Sequence, residues 1–148
     1  MIAINRETDY ACRVILHLAA HPPGHRTTAR EIADLQLIPQ SLIRRVVRQL
    51  SAARLVRTTR GTGGGIVLAR PPSEISLLDV VEAIEGPLVL NECTVNPHFC
   101  PLMPACSVHE AWVRIKKILV EELRNTTFDK LAERGNSLSE GTSSKVAV

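Results

Sequence analysis

Aromatic residues are scarce in this chain, since Trp, Tyr and Phe together make up 3% of its 148 residues. No apolar run approaches the roughly 18 residues that a membrane-spanning helix needs, and no signal-peptide pattern is present. We therefore expect a cytoplasmic protein without a membrane partner. Hydrophobic residues make up 45% of the chain, which is enough to bury the core of one domain.

Lysine is absent from residues 1–70, and acidic residues are few there. This half carries eleven arginines and four acidic residues, whereas residues 71–148 carry seven basic and eleven acidic residues. The planar guanidinium group suits phosphates and the edges of guanine bases. The asymmetry indicates a nucleic-acid-binding half and a half with another task, although a solvated charged face has the same composition.

Three helices are predicted before residue 53. Apolar residues recur at helical spacing from Thr8 to Ala20, and a capping box from Thr28 to Glu31 opens a second, short helix. Pro39 suits the first turn of a third helix. One face of this third helix carries polar and basic residues at positions i, i+3, i+4 and i+7, namely Ser41, Arg44, Arg45 and Arg48. Such a row fits the major groove of DNA.

Two β-prone segments, Leu55–Arg60 and Ile66–Arg70, flank a glycine-rich tip and predict a hairpin. A nucleotide-binding loop is disfavoured because the GxxxxGK[ST] pattern is missing. A hairpin directly after a basic helix is typical of the wing in a winged helix-turn-helix domain. We therefore expect Arg60 to lie against phosphates or in a minor groove, and we add Thr28 and Gly63 to the predicted DNA contacts.

The carboxy-terminal half is predicted to contain a capped helix, a loop and a long helix. Ser76 and Asp79 form a second capping box, and Gly86 ends that helix. After a proline-rich loop over residues 91–106, a helix runs from Ser107 to about Arg124. Its apolar stripe comprises Val108, Trp112, Ile115, Leu119 and Leu123. One small domain has too little surface to cover this stripe, which favours a homodimer over packing within the monomer.

The chain is predicted to close with a short helix that begins near Phe128 and ends near Glu133. Residues 134–148 are rich in Gly, Ser, Asn and Thr, and we predict that they are disordered. The predicted fold class is mainly α with a small β-hairpin. Residues 1–75 are expected to form the winged helix-turn-helix domain, and residues 76–133 the linker helix, the cysteine loop and the dimerisation helix.

Three cysteines and a histidine lie close together in the sequence at Cys93, Cys100, Cys106 and His109. A reducing cytosol disfavours disulfides, so this cluster favours metal or redox chemistry. The spacing matches neither a zinc ribbon nor a ferredoxin. On residue chemistry an iron–sulfur cluster and zinc remain equally open, and metal-free redox thiols or an inert loop are less favoured. The distant Cys12 is predicted to be a small core residue.

Taken together, these features resemble the bacterial IscR/NsrR/RirA family of iron–sulfur transcription regulators. The resemblance covers about residues 1–133. It rests on the three cysteines and on four segments: Thr8–Ala11, Arg60–Ile66, Leu78–Gly86 and Ala111–Trp112. The resemblance implies a dimeric repressor or activator that binds double-stranded promoter DNA. It also implies an iron–sulfur cluster, 2Fe–2S being favoured and 4Fe–4S also compatible, held by Cys93, Cys100 and Cys106.

Members of this family differ in the fourth ligand of the cluster. The IscR type has a His just beyond the third Cys, where His109 stands, and the NsrR type takes an Asp from the first helix, where Asp9 stands. We favour His109 because imidazole is the better iron ligand and lies beside Cys106. The first cysteine gap is one residue longer than the common pattern. Arg44 occupies a position where the IscR type has a Glu, so a different operator sequence is expected.

The functional prediction is a transcription regulator whose promoter binding responds to iron–sulfur status, redox state or nitric oxide. The alternative within the same fold is a regulator controlled by metal-free thiols or by a protein partner. An electron-transfer protein is disfavoured by the arginine-lined helix. An enzyme acting on a small-molecule substrate is not expected, because the sequence shows no nucleophile–base constellation.

Overall fold

The computed structural model describes residues 3–96 and 98–143. Within this part the chain forms helices and one two-stranded antiparallel hairpin, which confirms the predicted fold class. In chain order the elements are α1 (Arg6–Ala19), α2 (Ala29–Leu35), α3 (Gln40–Ala52), β1 (Val56–Thr59), β2 (Gly65–Leu68), α4 (Leu77–Glu85), α5 (Ser107–Asn125) and α6 (Phe128–Ser143). None of the described helices combines the length and apolarity needed to cross a membrane.

Side-chain caps set where three of the helices begin. The Asn5 side chain accepts a hydrogen bond of 2.8 Å from the backbone N–H of Thr8, so α1 begins two residues before the position predicted from apolar spacing. Both predicted capping boxes are present, at Thr28 with Glu31 and at Ser76 with Asp79. These reciprocal bonds satisfy backbone N–H groups that have no partner within the helix.

The hairpin is attached to the segment that precedes α2. In the hairpin Val56 pairs with Leu68, and Thr59 pairs with Gly65. On the outer edge of β2, Ile66 exchanges two backbone hydrogen bonds with Thr27, of 2.9 and 3.3 Å. The base of the wing therefore has a fixed position relative to the α2–α3 helix pair.

One hydrophobic core joins both halves of the chain. Val14, Ile15, Val46 and Leu50 come from α1 and α3, and Phe128 from the start of α6 joins the same cluster at 1% exposure. Ile75 and Val80 also belong to it. The division predicted at residue 75 therefore does not separate two cores.

The last helix is longer than predicted. We expected it to end near Glu133 and the following residues to be disordered, but α6 continues to Ser143. The prediction of disorder is wrong for residues 134–143, and residues 144–148 lie outside the described part. The segment contains no proline, and extending a helix that is already nucleated on a buried Phe128 costs far less than starting a new one.

Candidate nucleic-acid interface and cysteine loop

The helix α3 buries one face and presents the other to solvent. Ile43, Val46 and Leu50 point into the core, while all four residues of the predicted row, Ser41, Arg44, Arg45 and Arg48, are exposed. Between α3 and the hairpin lies a groove of about 750 Å³. Four of the predicted DNA contacts line this groove: Thr28, Arg44, Arg48 and Arg60. The tertiary structure thus brings together residues that are up to 32 positions apart in sequence.

Arg45 differs from its neighbours because it is paired within the chain. Its Nη1 lies 3.2 Å from Oε1 of Glu7 on α1. By contrast, in the described part of the chain Arg44, Arg48 and Arg60 form no ion pair. Ser41 is exposed in the first turn of α3 but does not line the groove. Within the basic row on α3, the cations without an ion pair among the described residues are therefore the two that line the groove beside the wing.

A short hydrogen bond and a steric constraint fix the wing tip. The Gly63 carbonyl accepts a hydrogen bond of 2.9 Å from Nη1 of Arg26, which lies just before α2. A Cβ atom on Gly64 would lie 2.3 Å from the Thr59 carbonyl oxygen, closer than any real contact of this kind. Gly63 itself has a φ of +75°, a left-handed backbone that glycine adopts without strain. The backbone conformation of the wing tip is therefore constrained by this hydrogen bond and by its glycines.

The start of α1 also connects to the end of α4. The fully buried Thr8 donates from Oγ1 to Oε1 of Glu85 at 2.6 Å, and the backbone N–H of Asn5 donates to the same oxygen at 3.1 Å. Glu85 is the last residue of α4, and five residues separate it from the loop over residues 91–106 that contains the three clustered cysteines. The first turn of α1 thus makes two contacts. Thr8 contacts the end of α4, and Glu7 contacts Arg45 on α3.

The three clustered cysteines are free thiols, each half-buried. Cys93 lies in a short 3-10 turn over Glu92–Thr94, and Cys100 lies between this turn and a second one over Met103–Ala105. The helix α5 begins at Ser107 as predicted, with Cys106 as its N-cap, and the Sγ of Cys106 accepts a hydrogen bond of 3.4 Å from the backbone N–H of His109. A sulfur at a helix N-terminus is well placed to carry negative charge.

The donor atoms of the cysteine loop fit an iron–sulfur cluster in their chemistry. Nδ1 of His109 is buried and has no hydrogen-bond partner, as expected for a ring nitrogen available to a ligand. Three soft thiols complete the donor set. Across residues 3–96 and 98–143, however, no three His, Cys, Asp or Glu side chains are gathered into a metal-binding group. The donors are present on adjacent turns, but they are not arranged around a common point.

The remaining sequence candidates have other contacts. Asp9, the alternative fourth ligand, forms an ion pair of 2.7 Å with Arg13 one turn along α1. Cys12 packs against the core as predicted, and burial, with a smaller contribution from Asp9, raises the pKa of its thiol to about 11. Cys12 is therefore protonated at neutral pH, which disfavours a role as a ligand.

Two residues that contact the wing tip or α3 were not predicted from the sequence. Arg26 supports the wing tip from a position 37 residues away, and Glu7 pairs with an arginine 38 residues away. No local pattern marks either residue, because their partners are defined only by the packing of α1 and β2 beside α3. The only sequence signal for Glu7 is that it is one of just four acidic residues among residues 1–70.

Comparison with known proteins agrees with this geometry. The family model of Rrf2, described as iron-dependent transcriptional regulator, matches residues 4–134. The structure of CymR (YrzC), the global cysteine regulator of B. subtilis, is similar with a TM-score of 0.76 and 28% identity, over 90% of this chain and 98% of CymR. The oxidized form of Staphylococcus aureus CymR is similar with a TM-score of 0.67 and 25% identity, over 89% of this chain and 97% of that chain.

IscR of T. potens shares the fold, with a TM-score of 0.70 and 24% identity over 90% of this chain and 88% of IscR. The family match spans nearly all of the residues on which the resemblance was based, so the family predicted from sequence is confirmed. With its helix pair, basic third helix and wing, the chain belongs to the Rrf2 family of winged-helix, DNA-binding transcriptional regulators.

Proposed function

We propose that this chain is a cytoplasmic, dimeric regulator that binds promoter DNA through the groove between α3 and the wing, under the control of an iron–sulfur cluster. The groove is the observation that carries DNA binding. Arg44, Arg48 and Arg60 converge there without ion-pair partners in the described part of the chain. Unpaired guanidinium groups on a helix and on a wing match a major groove and its flanking phosphates.

The exposed face of α5 supports a dimer. None of its residues is buried, and the apolar Val108, Ile115 and Ile118 are 59%, 44% and 60% exposed. Val108 and Ile115 belong to the predicted stripe, and Ile118 extends its exposed edge, whereas the half-buried Trp112 and Leu119 form the other edge. The monomer buries only part of the apolar stripe, so the exposed part is available to pack against α5 of a second copy. Two copies also place two α3 helices on successive half-sites.

The residues that would hold a cluster are Cys93, Cys100, Cys106 and His109, with Asp9 as the alternative fourth ligand. When bound, a 2Fe–2S or 4Fe–4S cluster supplies a centre that oxidation, nitric oxide or loss of iron alters. The match to a family described as iron-dependent supports this assignment. The buried Nδ1 of His109, which has no hydrogen-bond partner among the described residues, also supports it.

The chain offers a short physical route from the cysteine loop to the DNA-facing side. The segment that leads to the loop leaves α4 at Glu85, whose carboxylate holds the first turn of α1 through Thr8. Glu7 in that turn holds Arg45 of α3. We propose that a change in the loop alters the position of α1 relative to α3, and with it the fit of the dimer to its half-sites.

A second candidate is a regulator controlled by its thiols without a metal. The three clustered cysteines are free and are not gathered into a metal-binding group in the described part of the chain, which supports this alternative. The likeness to CymR, a cysteine regulator whose S. aureus form has also been seen oxidized, supports it as well.

Base reading by Arg44 is tested by anisotropy titrations of Arg44→Ala against the operator and against random DNA. We expect a loss of about 1–3 kcal/mol on the operator and a smaller loss on random DNA, because a bidentate base contact is sequence-specific. Arg124→Ala removes the same charge from the end of α5 and should change neither affinity by more than about twofold. Equal losses on both DNAs would reduce Arg44 to a phosphate contact.

Cluster control is tested on anaerobically purified protein by iron and sulfide analysis, absorbance and Mössbauer spectra. We expect Cys106→Ser to lose iron and Cys12→Ala to retain it. Operator affinity is then compared before and after chelation of the iron. Equal affinities of the loaded and stripped protein would reject cluster control. A colourless protein with zinc or free thiols would favour the second candidate.

A further inference from the structure

A cavity of about 430 Å³ lies between the end of α1 and the base of the wing. Its apolar walls come from Leu18 of α1, the prolines that follow α1, Leu68 of β2 and the prolines that follow β2. Its size lies within the range of small-molecule sites. None of its lining residues also lines the groove between α3 and the wing, so it is a separate feature.

The charged and titratable groups that line this cavity are all basic: His21, His25, Arg57 and Arg70. The side chain of Arg57, on β1, is exposed and makes no ion pair or hydrogen bond within the described residues. Nε of Arg70 is buried and has no hydrogen-bond partner, and its Nη2 lies 3.6 Å from Oδ1 of Asp79.

The two histidines are held side by side at the cavity. The rings of His21 and His25 stack with centroids 4.3 Å apart and planes 10° apart. Nδ1 of His21 lies 2.7 Å from the His17 carbonyl oxygen, which requires a proton on Nδ1 and fixes the ring. Two oriented imidazoles and two arginines thus face a pocket that no acidic side chain lines.

We propose that this cavity binds a small organic anion, a carboxylate or a phosphate monoester with an apolar body. The anionic group meets the exposed guanidinium group of Arg57, with His25 beside it, and the apolar body packs against Leu18, Leu68 and the flanking prolines. Arg57 lies on β1 and Leu68 on β2, so the ligand contacts both strands at the base of the wing. This site does not depend on the cysteine loop or on its cofactor.

Calorimetric titrations with four probes test the ligand class. We expect 4-phenylbutyrate or phenyl phosphate to bind at least tenfold more tightly than both neutral 4-phenylbutyramide and inorganic phosphate. If 4-phenylbutyrate binds more tightly than phenyl phosphate, the site is assigned to carboxylates, and the reverse order of affinity assigns it to phosphate monoesters. Equal binding of the neutral amide would overturn the proposal, as would equal binding of inorganic phosphate, because the site would then lack one of its two features.

Matched variants locate the binding site. Arg57→Gln should weaken binding of the better probe at least tenfold, and His25→Gln should weaken it less. Arg54→Gln is the control, because Arg54 lines a neighbouring cavity but not this one, and it should change binding less than twofold. Amide NMR shifts on titration should centre on Gly24 and Ala69. Shifts centred on Arg44 and Arg60 would overturn the proposal, as would an Arg57→Gln variant that loses DNA affinity while binding the probe normally.

Discussion

At the scale of the residue, Glu7 separates one arginine of α3 from the others. Its carboxylate is 23% exposed and lies 3.2 Å from Arg45, whereas the arginines that face the wing have no such partner in the described part. An ion pair with a partly shielded carboxylate competes with DNA phosphate for the same guanidinium group. Glu7 therefore limits how many cations the helix offers to DNA.

We predict that Glu7→Gln strengthens binding to random DNA roughly threefold at moderate salt and steepens the salt dependence by about 0.9, the value for one added phosphate contact. Anisotropy titrations at several salt concentrations measure both quantities. Glu82→Gln, at an exposed position of α4, makes the same change in net charge without removing an ion pair between described residues and should leave the slope unchanged. A weaker affinity of Glu7→Gln would show instead that the ion pair positions α3.

His17 gives the stability of the fold a pH dependence. The side chain is buried, and burial lowers its pKa, with further lowering by the neighbouring His21 and His25. As pH falls through the ordinary histidine pKa, the unfolded chain therefore takes up a proton before the folded chain does. The free energy of unfolding then falls on acidification, by at most about 1.4 kcal/mol per pH unit for one such group.

We predict that His17→Gln flattens the decline in the free energy of unfolding between pH 7.5 and 5.5, measured by urea denaturation. Hydrogen bonds from Thr28 and Thr127 hold the pKa values of the Glu31 and Asp129 carboxyls below their ordinary ranges, so these groups affect stability only in stronger acid. The exposed His98→Gln is the control and should keep the full decline. An unchanged slope in His17→Gln would contradict the assignment.

At the scale of the element, the wing depends on a close backbone approach. We predict that Gly64→Ala weakens operator binding about tenfold or more, because its Cβ would meet the Thr59 carbonyl at 2.3 Å and displace Arg60. Anisotropy titrations measure the affinity, and thermal unfolding checks that the core is intact. Gly135→Ala in α6 meets open space and should bind DNA normally. Normal binding by Gly64→Ala would show that the wing tip does not contribute.

Local sequence predicted the elements better than their ends. The capping boxes at Thr28 and Ser76 were correct because a cap involves residues only three positions apart. The extension of α6 to Ser143 was missed because composition alone does not include the helix that precedes the segment. In the same way, Cys106 caps α5 although the neighbouring serine is the more usual N-cap residue type.

At the scale of the whole molecule, the exposed edge of α5 is the surface that we propose for the dimer contact. We predict that Ile118→Glu raises the dimer dissociation constant about 30-fold, since burying a carboxylate against an apolar partner costs about 2 kcal/mol or more. Sedimentation velocity measures the constant, and operator affinity should fall with it. Lys117→Glu, on the opposite side of α5 from Val108, should leave the dimer intact. A monomeric natural protein would contradict the proposed assembly.

Patterns within a few residues were sufficient for the helices, the hairpin and the basic row on α3. Their physical cause is local, because helix periodicity, caps and turns involve neighbours along the chain. Which arginines remain unpaired, how Arg26 supports the wing, how α6 joins the core of α1 and where a basic cavity forms were decided only by the folded arrangement. These features join residues tens of positions apart, and it is burial of the common core that brings such residues into contact.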